Sequence, residues 1–167
     1  MLNLIFKALK WLVFIWLVIE LGSFVRSIQS QPQVNDLSML EGRWLQYPKK
    51  DFEPQVVYFF APWCQVCKAS SSNLQLLQEN GVDILLVALS YSNFQEVQDY
   101  ANEQQLSMPI LLGSPSLADK YGIIGYPTYY IVDENNQLVA KQVGYSSLAS
   151  MSLRLFIVHM YGKYNEN

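Results

Sequence analysis

Cysteine is scarce in this chain, two among 167 residues, and histidine is scarcer still, His159 alone. A structural zinc site draws on about four nitrogen, sulfur or carboxylate ligands, so a metal-built fold is poorly supported. A disulfide-stapled scaffold is not needed either, since a chain of this size can fill a core unaided, and a structural bridge would be expected between cysteines far apart. Charge is also sparse, 15% of residues with a net −3, and three of the eleven bases (Lys7, Lys10, Arg26) fall in the first 26 positions beside a single acid, Glu20. The remainder therefore carries −5. A mildly acidic body lacks the basic stripe of a nucleic-acid partner, and none is expected. Low-complexity tracts and internal repeats are missing as well. With 51% of residues apolar, wholesale disorder is excluded and one globular domain is expected.

The longest apolar stretch is at the amino terminus. Leu2 to Val25 is almost wholly apolar or aromatic, broken by Lys7, Lys10 and Glu20, and the strictly uncharged run is Trp11 to Ile19. As a helix it spans the bilayer if the two lysines snorkel to one headgroup layer and Glu20 lies near the other. The lysines and terminal amine at one end place that end in the cytoplasm by the positive-inside tendency. A cleaved signal peptide has the same outline, but no good small-x-small cleavage site follows, so retention is expected. Both readings put the body where disulfides persist. The expected layout is a transmembrane signal-anchor over 1–26, a polar linker over 27–35 containing Pro32, and one domain over 36–167.

Within the body, Val56 to Phe60 is a continuous β-prone apolar run, as expected of a strand covered on both faces. A helix begins near Cys64, with Cys67, Leu74 and Leu77 on its inward stripe, and closes at Asn80-Gly81. Ile84 to Leu89 reads as a second buried strand. Ser92 or Asn93 caps a helix to Asn102 with Phe94, Val97 and Ala101 at helical spacing. Ile110 to Leu112 is a short strand, and Ser114-Pro115 opens a brief helix to Tyr121. Thr128 to Val132 and Leu138 to Val143 form a hairpin about Asp133 to Gln137. A last helix runs from Leu148 to about Tyr161. Arg43 to Tyr47 is a weaker strand candidate. Alternating strands and helices followed by a hairpin imply an α/β fold, a central mixed sheet flanked by helices.

The chemistry gathers at Phe60-Ala61-Pro62-Trp63-Cys64-Gln65-Val66-Cys67, where a Cys-x-x-Cys pair directly follows a buried strand and opens a helix. Thiol exchange needs a thiolate, and the unsatisfied N–H groups and dipole of a helix amino terminus favour one. The spacing keeps the second sulfur within reach of the first. Cys64 is expected at the exposed tip as the attacking thiolate, with Cys67 one turn inward to resolve the mixed disulfide.

The Trp63-Cys64-x-x-Cys67 segment resembles the thioredoxin superfamily. Met108-Pro109-Ile110, Tyr121-Gly122-Ile123, Gly125-Tyr126-Pro127-Thr128, Asp133 and Gly144 are similar to the TlpA-like branch of membrane-anchored periplasmic oxidoreductases, and within it to the subfamily associated with suppression of copper sensitivity. The likeness covers about 56–156. The Cys64 to Pro127 separation of 63 residues exceeds that of a minimal thioredoxin and fits the extra helix and strand at 93–113. The resemblance implies a three-layer thioredoxin-like sandwich preceded by one transmembrane helix, with Cys64 and Cys67 catalytic. It also implies a cis bond before Pro127, and a substrate-binding surface of Trp63, Tyr126 and Pro127. The implied function is exchange of disulfides with protein substrates carrying thiols or disulfides, in either direction, by a single-pass inner-membrane protein whose domain is periplasmic. A membrane thiol transporter would be its electron donor. No cofactor and no metal site are expected.

Two departures bear on mechanism. Thioredoxins keep a buried acid beneath the second cysteine, and the matching position here is Tyr58. The dipeptide Gln65-Val66 brings neither charge nor histidine to the thiols. The competing function is a copper(I)-binding chaperone using the same cysteine pair. His159 lies far along the chain and the five methionines are scattered, which gives that reading little support.

Overall fold

The structure, a computed structural model, describes residues 2–29, 55–133 and 137–165. The chain opens with the helix Leu2–Gln29 (α1). Strand Gln55–Phe60 (β1), helix Gln65–Glu79 (α2), strand Ile84–Ala88 (β2), helix Phe94–Glu103 (α3) and strand Ile110–Leu112 (β3) follow. Helix Pro115–Lys120 (α4), the hairpin strands Thr128–Val132 (β4) and Leu138–Val143 (β5), and helix Leu148–Asn165 (α5) complete the order. The strand candidate at Arg43 to Tyr47 and most of the expected linker lie outside the described residues. The first linker residues, Ser27 to Gln29, continue α1. No proline precedes Pro32 in this stretch, so nothing in 27–29 ends a helix sterically.

Among the described residues, five strands form one sheet in the order β3-β2-β1-β4-β5. β1 pairs parallel with β2 and β2 with β3, whereas β4 is antiparallel to both β1 and β5. This is the mixed sheet that alternation followed by a hairpin predicts. Both of its faces are covered, which is why β1, β2 and β4 are continuous apolar runs. Val56, Tyr58 and Phe60 point to the side where Leu74, Leu77, Val97, Tyr100, Met151 and Leu155 are packed. Val57 and Phe59 point to the other, against Val87, Tyr121 and Tyr130, with Leu117 of α4 packed alongside. Gly81, at φ 89°, takes the left-handed position that ends α2.

Buried phenols run through these cores. Tyr58, Tyr100, Tyr129 and Tyr130 have their pKa values raised above the usual tyrosine value, chiefly because burial disfavours the charged form. A group that ionises less readily when folded stabilises the fold below its unfolded pKa, and that contribution is lost as pH climbs. The urea midpoint is therefore expected to hold near neutrality and to fall steeply above about pH 10, the unfolded tyrosine value. The fall should be smaller in Tyr58→Phe. A flat midpoint across the tyrosine range would contradict this account.

Among the described residues, no helix is long and apolar enough to cross a membrane. The uncharged run Trp11 to Ile19 would cover only about half of the hydrocarbon core. Its side chains are nonetheless exposed all round the helix. The exposed run is interrupted at Glu20, which is half-buried and accepts a hydrogen bond from Ser150 Oγ of α5 at 2.8 Å.

Candidate active site

β1 delivers its carboxyl end to the amino end of α2, and the cysteines sit at that junction. Cys64 is the N-cap residue of α2, its Sγ accepting from the Cys67 N–H at 3.1 Å. The two are joined in a disulfide with Cα atoms 5.2 Å apart. Cys64 was expected at an exposed helix tip. It is instead nearly enclosed, 6% exposed against 0% for Cys67, because capping and the disulfide turn its sulfur back onto the helix. The order of exposure is as expected and the degree is not.

At the same end of the sheet as the pair lies an aromatic rim. Trp63 is exposed, its Nε1–H donating to the Ser90 carbonyl at 2.8 Å, and its ring meets Tyr126 edge-on. The Tyr126 hydroxyl and Ser90 Oγ share a hydrogen bond of 2.9 Å. Pro127 is buried and the Tyr126–Pro127 bond is cis. Since Phe59 pairs with Thr128 across the antiparallel β1–β4 ladder, Pro127 stands at the same sheet end as the motif that follows β1. The register thus gathers Trp63, Tyr126 and Pro127 at the cysteine end of the sheet.

Ser90 was not legible as a site residue. It follows β2 and takes φ 50°, a left-handed conformation uncommon outside glycine and asparagine. Held there, it ties Trp63 by its carbonyl and Tyr126 by its hydroxyl. Alanine would occupy the same backbone and lose only the hydroxyl. Ser90→Ala is expected to lower kcat/KM on a protein disulfide by up to about tenfold, the worth of one hydrogen bond. Its thiols should titrate as in the parent. An unchanged kcat/KM would mean that this tie does not hold the rim.

Beneath the cysteines, the stripe of α2 that packs inward is partly polar. Ser70 and Ser71 are buried and donate to the carbonyls of Val66 and Cys67, at 2.9 and 3.1 Å. Ser71 Oγ also meets the Tyr100 hydroxyl at 3.0 Å. Tyr58, at the position where thioredoxins keep an acid, is buried beside Ser70, and that burial raises its pKa above the usual tyrosine value. It can donate a hydrogen bond near neutral pH but is a poor proton acceptor. Among the described residues, no group of three or more His, Cys, Asp or Glu side chains could hold a metal ion.

The family model described as Redoxin matches residues 47–152. The thioredoxin-like protein YneN of Bacillus subtilis is 27% identical over 135 residues, covering 77% of this chain and 79% of that one. A thioredoxin-like protein of Haemophilus influenzae is 23% identical, covering 83% and 85%. Among solved structures, StoA of Bacillus subtilis superposes with a TM-score of 0.54 at 25% identity, covering 61% of this chain and 81% of its own. A secreted disulfide oxidoreductase of Mycobacterium tuberculosis, 20% identical over 64% and 83% of the two chains, gives 0.54 and speaks for the fold alone.

Proposed function

This chain belongs to the Redoxin family and is a thiol:disulfide oxidoreductase of the thioredoxin type, and from that premise we propose how its site works and where. The observation that carries the proposal is the nearly enclosed Cys64–Cys67 disulfide at the amino end of α2, at the same sheet end as the Trp63–Tyr126 ring pair. In the reducing direction the Cys64 thiolate attacks one sulfur of a protein disulfide. That S–S bond breaks, and the departing partner thiolate takes a proton. The Cys67 thiolate then attacks Cys64 Sγ in the mixed disulfide and releases the second partner thiol. Two electrons and two protons pass to the partner, and the Cys64–Cys67 bond is re-formed. Oxidation of a dithiol runs the same steps backward.

Trp63 and Tyr126 present apolar ring surface to a partner segment, and the backbone before Pro127 offers it hydrogen-bonding groups. No cation flanks the thiols in Gln65-Val66, so the helix terminus is the main local aid to the thiolate. The resulting potential lies between those of strong reductants and strong oxidants. Equilibration with glutathione buffers tests this. A value close to thioredoxin's would assign reduction fed by a membrane thiol transporter, and one close to strong oxidants would assign disulfide formation. Failure to exchange with glutathione or with any protein disulfide, together with stoichiometric Cu(I) binding, would replace the enzyme reading by copper carriage.

In this reading the domain lies outside the cytoplasm, single-pass and anchored in the inner membrane by α1, which reaches across only with Lys7 and Lys10 snorkelling to one headgroup layer and Glu20 at the other. Support comes from the Leu2 to Val25 sequence with its lysines at one end, and from the exposed apolar side chains between Trp11 and Leu21. Such surface is unfavourable in water and at home in lipid. Fractionation with the inner membrane and protease access from the outer side alone are the expected results. A soluble form beginning near residues 24–31 would identify the segment as a cleaved signal instead.

A further inference from the structure

The last helix is apolar on both faces, for beside the Met151 and Leu155 that it packs into the core it shows large apolar side chains outward. Between Leu148 and Met160 its one charged residue, Arg154, is 2% exposed. The outward residues Ala149, Ser152, Leu153, Phe156 and Met160 follow helical spacing and carry no charge. Three of them are large and apolar, Leu153 at 46%, Phe156 at 60% and Met160 at 51% exposure. A surface helix normally shows the reverse, with its polar residues on the face that solvent sees.

A second observation fixes where α1 meets this helix. Ser150, on the same helix, donates to Glu20 of α1 at 2.8 Å. Glu20 is where the exposed apolar run of α1 meets its first charge after Lys10, and it is half-buried there, although Leu21 beyond it is again exposed. If α1 enters the bilayer below Glu20, that carboxylate marks the headgroup level and α5 starts there.

We propose that the outward face of α5, through Leu153, Phe156 and Met160, rests on the outer surface of the membrane that holds α1. The proposal rests on the anchored reading given above. Tyr161, exposed one residue beyond Met160 and to one side of this face, suits the interface, where an apolar ring and a polar tip are both satisfied. The five outward positions contribute no lysine or arginine, so contact is by apolar burial rather than by attraction to anionic lipid. Neutral phosphatidylcholine should serve, and added salt should not release the face. The cysteine end of the sheet would then be held at a fixed orientation above the bilayer.

The test uses the full chain in phosphatidylcholine nanodiscs, with methionine methyl groups labelled for NMR and a nitroxide carried on the lipid headgroup. The Met160 methyl signal is expected to be lost to the nitroxide while that of Met108, buried beside the far edge strand β3, persists. Phe156→Asp, outside the redox site, should restore the Met160 signal without altering turnover of a small disulfide. If the chain stays on the disc and Met160 keeps its signal in the parent, the proposed face is wrong and the anchor stands. Loss of the chain from the disc would defeat the anchor and this proposal together. A Met160 signal indifferent to the lipid label, in discs that carry two chains bound to each other, would assign the face to a second copy and overturn the lipid assignment.

Discussion

Replacing Cys67 by alanine is expected to turn the protein into a covalent trap. Cys64 can still attack a partner disulfide, but nothing remains to break the product, so mixed disulfides should accumulate and disappear on adding dithiothreitol. Cys64→Ala should also abolish turnover and yet capture little. Cys67 has no exposed surface and lies one helical turn inside the rim, where a partner sulfur cannot approach in line. Because Cys64 itself is 6% exposed in the disulfide, opening that bond should increase its access, and alkylation of the reduced protein should modify Cys64 first. Gel electrophoresis without reductant reads the adducts directly. Adducts on the Cys64 variant and none on the Cys67 variant would reverse the two roles.

The largest expected loss of stability is at Phe60. Its side chain is fully buried at the end of β1 and stacks on Tyr100, with ring centroids 4.6 Å apart. Truncating a buried phenylalanine removes its transfer free energy and leaves a cavity, about 3–5 kcal/mol together. Against a typical folding free energy of about 5–15 kcal/mol this is a large share. Phe60→Ala should lower the urea midpoint sharply with an unchanged slope. Phe94→Ala, on an exposed ring at the start of α3, should stay within about 0.5 kcal/mol. Equal losses at the two sites would show that burial does not rank them.

That contrast marks one limit of reading the sequence. Phe94 falls at helical spacing with Val97 and Ala101 and was expected to face inward, but it is the first residue after the Asn93 cap and points outward. Val97 and Tyr100 form the buried stripe instead. The strands were legible because sheet covered on both faces demands unbroken apolar runs, and β1, β2 and β4 are such runs. The start of α2 was legible from Cys64 onward, and its end from Asn80-Gly81. Ser70 and Ser71 were not, since a serine in a helix looks polar until its hydroxyl is seen bonded to the carbonyl one turn back. The tie through Ser90 depends on one backbone angle and on partners 27 and 36 residues away, which no local pattern encodes. A cis bond before Pro127 followed only from the resemblance, since an X-Pro pair alone indicates little more than a turn.

An oxidoreductase that receives other polypeptides is exposed to a hazard unrelated to sulfur chemistry, the addition of a foreign strand to its own sheet. Among the described residues, one margin of the sheet is β3, only three residues long and entered through Pro109, a residue without an N–H to offer. So short a margin gives an incoming chain few backbone groups to pair with, and its proline removes one more donor where the strand begins. Client chains should therefore leave when their sulfurs are released, without remaining as an extra strand on this side.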